Sequence, residues 1–554
     1  MADDGKASAT IDRRAVLGGL AVSGLAATGL GRPAFGTDAG IVSVRIGNDR
    51  PVGPISRLVF GSNELGTMDG GETSAAIDAR LGITARRLGG NLMTTYNWVN
   101  NFTNAGKDYR HANGEMLTGM LDIDAAARRT PAAVIYEMHE RTRAMGAKTL
   151  ITLPIAGYVA ADGNGAVSPA EAAPSRRFVP VGWEIGKQAS DPIDVTQANI
   201  PHLVARLVAK YGTAKDGGVW GYALDNEPGL WPETHPRIVR KPFTIRALID
   251  RSIQAAKAIK AFDRSAKVFG PASWGATEMV NFQNAADWSE FRQSGSFIGA
   301  YLDAFRHASE AAGQRLLDVL DVHWYAYSRR GVLYRSEDVR LAGALVDAPR
   351  SLTEAGYRED SWVADALPDS HGEGVELPIL PSLKHLIDRH FPGTGLAVTE
   401  FNYGGAGQLA AGLALADALG RMASGGVEFA SHWGTLPGWL GQAYRLYLAR
   451  DRDGRGFGDV GFGIDATLPP ALSIAASGFA GKPNDVSVVV INKSERDIAI
   501  DLSFANGRAL ALTETLGFDA AHTESGPIVA AAPFRLADGR LVVPGTAARR
   551  FRFA

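Results

Sequence analysis

An eightfold alternation of short and long periodic segments most limits how this chain can fold. After a strand-like stretch from Ile41 to Ile46, runs rich in β-branched residues alternate with longer amphipathic ones. The strand candidates are Leu58 to Asn63, Ala85 to Gly90, Lys148 to Ile155, Val219 to Pro228, Lys267 to Ala272, Leu317 to Ala326, Gly395 to Gly404 and Val427 to Gly434. Helical patterns lie between several of them: Pro131 to Met145, Asn199 to Tyr211, Ile245 to Ala261, Gly299 to Ala312 and Leu409 to Ala423. Eight such units predict a closed (β/α)8 barrel over residues 58–455.

From about Asp459 the texture changes. Ala471 to Ser477, Val486 to Asn492, Ile498 to Phe504 and Leu541 to Pro544 read as strands without intervening helices, which predicts an antiparallel β-sandwich over 456–554. Residues 37–57 contain a strand with no place in an eight-strand barrel, so it is expected to pair with that sandwich. A chain of 554 residues exceeds the usual size of one core, in keeping with a large and a smaller domain.

The formal charge of −2 gives no electrostatic reason for nucleic acid or an anionic membrane as partner, and a neutral ligand fits better. Cysteine is absent, which excludes disulfides, thiolate metal sites and a cysteine nucleophile. Near the N-terminus, Asp12-Arg13-Arg14-Ala15-Val16-Leu17-Gly18-Gly19 opens an uncharged stretch reaching Leu30, followed by Arg32-Pro33-Ala34-Phe35-Gly36. This is the layout of a twin-arginine signal over residues 1–36, with small Ala34 and Gly36 before the expected cut. Its apolar part, about 16 residues rich in Gly and Ala, is short for a membrane span. Export to the periplasm or beyond is therefore expected, with no membrane partner once the signal is gone.

In a (β/α)8 barrel, reactive side chains sit at the C-terminal ends of the strands. The fourth candidate strand ends Leu224-Asp225-Asn226-Glu227-Pro228 and the seventh ends Val398-Thr399-Glu400-Phe401-Asn402-Tyr403, so each brings one carboxylate to the mouth. Glycosidic cleavage requires an acid for the leaving oxygen and a nucleophile or base opposite it. Taken singly, either Glu reads as a strand-end cap or an ion-pair partner. Around them, however, stand Arg87 on the second strand, Asn226 beside Glu227, His323, Trp324 and Tyr325 at the end of the sixth strand, and Trp433 on the eighth. In a regular strand Asn226 and Glu227 face opposite ways, and a bulge is needed to bring both to the mouth. Trp98, Trp231, Trp274, Trp324, Trp433, Tyr96 and Tyr158 lie near strand ends and are candidates to pave a sugar cleft. Any one of these Trp residues alone reads more readily as core, with Trp433 and Trp98 as the preferred exceptions.

Together these motifs resemble the clan of retaining (β/α)8 glycosidases, and more closely glycoside hydrolase family 44, the endoglucanase and xyloglucanase family. The resemblance rests on Gly89-Gly90-Asn91, Thr95-Tyr96-Asn97-Trp98, Asn104-Ala105-Gly106-Lys107-Asp108, Gly157-Tyr158-Val159-Ala160-Ala161-Asp162-Gly163 and Pro174-Ser175-Arg176-Arg177. It continues through Gly221 to Trp231, Thr234-His235-Pro236, Leu317 to Tyr325, Glu400-Phe401-Asn402-Tyr403-Gly404-Gly405 and Phe457-Gly458-Asp459. It implies a barrel with a β-sandwich built from both chain ends, and retention of anomeric configuration. Glu227 is then the general acid/base and Glu400 the nucleophile, with Arg87, Asn91, Tyr96, Trp98, Asn226, Trp231, His323, Trp324, Tyr325 and Trp433 binding substrate. Retention predicts carboxyl groups about 5–5.5 Å apart, against roughly 6.5–9.5 Å for inversion. Arg87 and Tyr325 are suited to keep Glu400 ionised, an ionised Glu400 to keep Glu227 protonated, and Asn226 to bond the sugar 2-hydroxyl.

The sequence departs from the family pattern at Leu92 and Val99 and over Val239-Arg240-Lys241-Pro242, which leaves subsite preference open. Asp451-Arg452-Asp453-Gly454, with Gly456 and Asp459, hints at a calcium loop but reads better as a solvated turn. Catalysis is expected to need no cofactor; the resemblance allows a structural calcium elsewhere. The expected substrate is a β-glucan such as xyloglucan or a cellulose-type chain, acted on by a monomer. The alternatives are a neighbouring clan activity on xylan, mannan or arabinosides, and a polysaccharide-binding protein without catalysis.

Overall fold

The eight β-branched runs hydrogen-bond to one another in chain order and close on themselves. A computed structural model describes residues 41–64, 66, 72–367, 369–450, 456–521, 529–530 and 539–554. The twin-arginine segment at 1–36 and the Asp451-Arg452-Asp453-Gly454 turn lie outside the described residues. Strand β1 spans Ile41–Pro54, and the barrel comprises β2 (Gly61–Asn63), β3 (Ala85–Leu88), β4 (Lys148–Leu153), β5 (Gly221–Leu224), β6 (Lys267–Ser273), β7 (Val319–Tyr325), β8 (Gly395–Asn402) and β9 (Phe429–His432). All pairings are parallel, and β9 closes the ring onto β2 through Ser431 opposite Gly61.

The helices between them form because their apolar residues recur at helical spacing and their ends are capped. Asn199 accepts the His202 N–H at 2.8 Å and Pro201 sits in the first turn of helix Ile200–Tyr211. Thr244 and Ser296 cap helices Ile245–Phe262 and Phe297–Ala312 in the same way. The lower barrel interior is filled by Ala85, Leu150, Ala223, Phe269, Val319, Ala397 and Phe429, one from each of seven strands. Above that plug the interior turns polar, with Arg87, Asp321, Thr399 and Glu400 buried there. The site thus sits on a dry, close-packed floor.

Short strands such as Tyr158–Ala160 and Phe178–Gly182 form small sheets in the barrel loops, and the C-terminal strands are β10 (Val460–Asp465), β11 (Leu472–Phe479), β12 (Lys482–Asn492), β13 (Ile498–Phe504), β14 (Leu512–Asp519), β15 (Val529–Ala530), β16 (Leu541–Val543) and β17 (Ala547–Phe553). With β1 they form one sheet in the order β15-β14-β17-β12-β11-β10-β1-β13-β16. β1 is longer than the stretch expected from sequence. It pairs in parallel with β13 and antiparallel with β10, with register shifts near Pro51. Val44, Ile46, Val486, Val488, Val490, Ile500, Val543, Phe551 and Phe553, drawn from both ends of this sheet, share one core, so the sheet folds over as a sandwich. Val489, Ile491, Phe518 and Ala548 point the other way and join the barrel core. Across the same face Lys493 pairs with Asp417 of helix Leu409–Ser424 at 3.0 Å, both buried. Among the described residues no helix is long and apolar enough to cross a membrane.

Candidate active site

The run expected as a strand from Val219 to Pro228 leaves the barrel ladder at Leu224. Asp225 and Glu227 both adopt left-handed backbone, at φ 69° and 46°. For non-glycine residues this costs roughly 1–3 kcal/mol each and persists only where the surroundings impose it. Here they do. The buried Asp225 carboxylate accepts the N–H groups of Ile155, Ala156 and Asn226 at 2.5, 3.0 and 2.8 Å and the Thr94 hydroxyl at 2.6 Å. Burial raises its pKa to about 6 against the pull of these bonds. The Glu227 N–H donates to the Ala272 carbonyl at 3.0 Å. The two left-handed residues flank Asn226 and turn both it and Glu227 to the mouth.

Glu400 arrives from β8, opposite His323 of β7 after a register shift. Its Oε1 accepts Arg87 Nη1 at 2.8 Å and its Oε2 the Tyr325 hydroxyl at 2.7 Å. Arg87 also donates to Asn63 Oδ1 at 3.0 Å and, through Nη2, to Asn226 Oδ1 at 2.8 Å. One fixed guanidinium therefore ties the first, second, fourth and seventh barrel strands together at the mouth. The glycine pair 89–90 follows from this packing: a Cβ on Gly89 would lie 2.2 Å from the Arg87 guanidinium carbon, and one on Gly90 2.4 Å from the Trp433 ring.

His323, fully buried, stands between the carboxylates, with Nδ1 3.1 Å from Glu227 Oε1 and 3.6 Å from Glu400 Oε2. Burial disfavours its charge, yet the Glu400 charge and the bond to Glu227 prevail, and its pKa lies above the ordinary value. For Tyr325, burial and then the Glu400 charge push the phenol well above its usual range, so it remains a donor. One oxygen of each carboxylate and a His323 ring nitrogen all lie within 4.8 Å of one another. Such a trio has metal-ligand chemistry, but the positive charge beside Glu400 already comes from Arg87 and one of its lone pairs goes to Tyr325. The arrangement suits proton transfer and nucleophilic attack at one sugar carbon.

A sequence profile of glycoside hydrolase family 44 matches residues 102–328. Among characterised relatives, Beta-mannanase/endoglucanase A of Caldicellulosiruptor saccharolyticus is 35% identical over 457 residues, 79% of this chain and 34% of that protein. Endoglucanase A of Paenibacillus lautus is 36% identical over 451 residues, 78% of this chain and 63% of that protein. The chain thus spans only part of the length of each. A family 44 xyloglucanase from Paenibacillus polymyxa, solved with xyloglucan, is 35% identical with a TM-score of 0.81, and the match covers 93% of this chain and 100% of that one. The chain belongs to glycoside hydrolase family 44.

In this glycoside hydrolase the aromatic residues divide between cleft and core. Trp433, half-buried, follows β9 directly, its backbone N–H still bonded to the Phe401 carbonyl at 2.9 Å. Trp274, Trp324, Tyr325, Tyr327 and Trp362 line a pocket beside His323. Trp274 and Trp362 face each other at 5.8 Å, and Tyr327 meets the edge of Trp362 at 5.2 Å. Tyr327 and Trp362 were not anticipated, because they lie on the long excursion after β7 and carry no strand-end signal.

The expectation that Trp98 and Tyr96 contact substrate is corrected: both are 1% exposed, in the shell around the barrel. The Trp98 indole donates to the Asn199 carbonyl at 3.2 Å and packs on the edge of His202, and the Tyr96 hydroxyl donates to Asn101 Oδ1 at 2.6 Å. Their polar ends are satisfied inside, which lets such large rings serve as core. Trp231 is also core rather than platform; its indole donates to the Asn226 carbonyl at 2.9 Å and props the turn behind Glu227. Asn91 is half-buried. Its Oδ1 accepts Asn226 Nδ2 at 3.4 Å, its carbonyl approaches His235 Nε2 at 3.0 Å, and its Nδ2 donates to Asp108 at 3.2 Å.

Proposed function

We propose that this family 44 enzyme cleaves internal β-1,4 bonds of β-glucans, xyloglucan among them, by double displacement with retention of configuration. Glu400 is the nucleophile. Its two oxygens are oriented by Arg87 and Tyr325, so one stays directed at the anomeric carbon. Glu227 is the acid/base, protonating the departing glycosidic oxygen and then activating water for breakdown of the glycosyl-enzyme. Asn226, turned outward by the strained turn and held by Arg87, is the partner for the sugar 2-hydroxyl. The observation that carries this reading is that one oxygen of each carboxylate lies within 4.8 Å of the other, close enough for both groups to face one sugar carbon.

Residues 1–36 act as a twin-arginine export signal in this proposal, and the enzyme meets its polymer outside the cytoplasm. A neutral polymer suits a cleft with aromatic walls and a chain of formal charge −2. Mannan is a second reading, favoured by the name of the Caldicellulosiruptor relative. Side-by-side release of reducing sugar from xyloglucan, carboxymethylcellulose, xylan and mannan ranks the substrates. Proton NMR of the first products reads their anomer: an initial α-anomer contradicts retention. Glu400→Gln is expected to abolish turnover, and near-wild-type activity in that variant rules out Glu400 as nucleophile.

A further inference from the structure

We infer that Glu278 and Gln283 are positioning residues that lock the turn carrying Glu227 to the Trp274 side of the cleft. This inference rests on the assignment of Glu227 as acid/base. Glu278 is fully buried in the short helix Ala276–Asn281 that follows β6. Its Oε2 accepts the backbone N–H groups of Gly229 and of Trp274, each at 3.2 Å. Gln283 repeats the pairing from the other side: Nε2 donates to the Gly229 carbonyl at 2.7 Å and Oε1 accepts the Trp274 indole N–H at 2.8 Å. Two side chains thus hold both peptide groups of Gly229 and both N–H groups of Trp274.

Gly229 is joined to Glu227 by Pro228, whose ring fixes its own φ. Little freedom is left between a clamped Gly229 and the Glu227 side chain. A Cβ at 229 would lie 2.8 Å from Glu278 Oε2, so glycine there is what admits the carboxyl group. Trp274 in turn lines the pocket beside His323 and Tyr325. A sugar ring resting on Trp274 and the acid that protonates its oxygen therefore share one rigid brace. Glu278 serves in its neutral form, since burial raises its pKa to about 8 against the pull of the Trp274 and Gly229 N–H groups.

Leaving-group dependence separates positioning of an acid from general structural support. Aryl cellotetraosides with good leaving groups need no proton, whereas those with poor ones, like a polysaccharide, do. The full-length enzyme and its Glu278→Ala, Glu278→Gln, Gln283→Ala and Glu227→Gln variants are compared on dinitrophenyl and unactivated phenyl cellotetraosides. Glu278→Ala and Gln283→Ala are expected to lose roughly 10-fold or more in kcat/KM, which reports the first chemical step alone, on the phenyl substrate and less than about 3-fold on the dinitrophenyl one. Glu278→Gln, which keeps an acceptor oxygen for both N–H groups, is expected to restore the wild-type pattern. Equal losses on both substrates, or a Glu278→Gln variant as impaired as Glu278→Ala, overturn the inference. Glu227→Gln is the internal control. If it shows no leaving-group selectivity, the acid/base assignment fails; if it does and the brace variants do not, only the brace fails.

Discussion

Replacing Tyr325 by Phe isolates one hydrogen bond to the proposed nucleophile. The phenol donates to Glu400 Oε2 at 2.7 Å, and its ring packs edge-on against Tyr334 at 5.2 Å, a contact that Phe retains. The bond is charge-assisted, worth roughly 1.5–3 kcal/mol. It stabilises Glu400 as a carboxylate, so it lowers the free enzyme and the charged transition states but not the neutral glycosyl ester. Loss of the hydroxyl therefore falls on breakdown of the intermediate, where Glu400 leaves as an anion. If about two thirds of its charge is present in that transition state, the loss is about 1–2 kcal/mol, or roughly 5- to 30-fold. Formation is not slowed by this loss, because the fully charged ground-state carboxylate is raised by more than the partly charged transition state. Tyr325→Phe should then accumulate glycosyl-enzyme, seen as a burst with a dinitrophenyl cellotetraoside and as a mass increment on the intact protein. Unchanged turnover with neither burst nor adduct refutes the reasoning.

Two other perturbations test the division between core and cleft and the ionisation of Glu278. Trp98→Ala is expected to cost about 3–5 kcal/mol in denaturant unfolding with little change in KM, whereas Trp433→Ala should raise KM roughly 10-fold, about 1.4 kcal/mol, and leave stability nearly intact. The opposite pattern would return Trp98 to the cleft. Glu278 has a folded pKa raised from 4.5 to about 8, so its contribution to stability is complete below pH 4.5 and is lost as pH rises through 8. Relative to Glu278→Gln, the wild type should lose up to about 1.4 kcal/mol per pH unit in that window and none outside it, measured by urea unfolding at pH 4, 6, 7 and 9. A pH-independent difference would show that Glu278 does not take up a proton on folding.

The barrel was legible from the alternation of short runs with crossover helices rather than from a shared strand signature, since its first two strands are Gly61-Ser62-Asn63 and Ala85-Arg86-Arg87-Leu88. Seven of the eight runs expected from sequence contain the observed strand and most extend past the ladder, while the fifth strand runs one residue beyond its expected end, to Ser273. The sandwich was legible as a set of strands but not as a register. Along β12 the run Val486 to Ile491 is apolar except for the buried Ser487, because both faces are buried, Val486, Val488 and Val490 against the sandwich and Val489 and Ile491 against the barrel. A run with no alternation says nothing about which face is which. The turn at Asp225-Asn226-Glu227 was only half legible. Nothing in its residue types forces two left-handed conformations, and the one hint is Asp225, whose carboxylate bonds the backbone around it.

Aromatic residues were the least legible part of the site, and the reason lies in distance along the chain from a strand end. Trp274 comes immediately after β6 and Trp433 immediately after β9, so the barrel itself sets where their rings go, Trp274 into the pocket beside His323 and Trp433 half-buried against Gly90. Trp98 comes well after β3, beyond a 3-10 turn at Met93–Thr95, and by then the loop has carried it over the outer shell to Asn199. Trp362 shows the converse. Its excursion leaves β7 and returns over the pocket, bringing a residue remote in sequence against Trp274. Composition treats these rings alike, since an indole is equally suited to a sugar face and to a core position with one carbonyl in reach. Only the rigid part of the fold can be projected from sequence to a side-chain position, and that rigid part ends one residue beyond the strand.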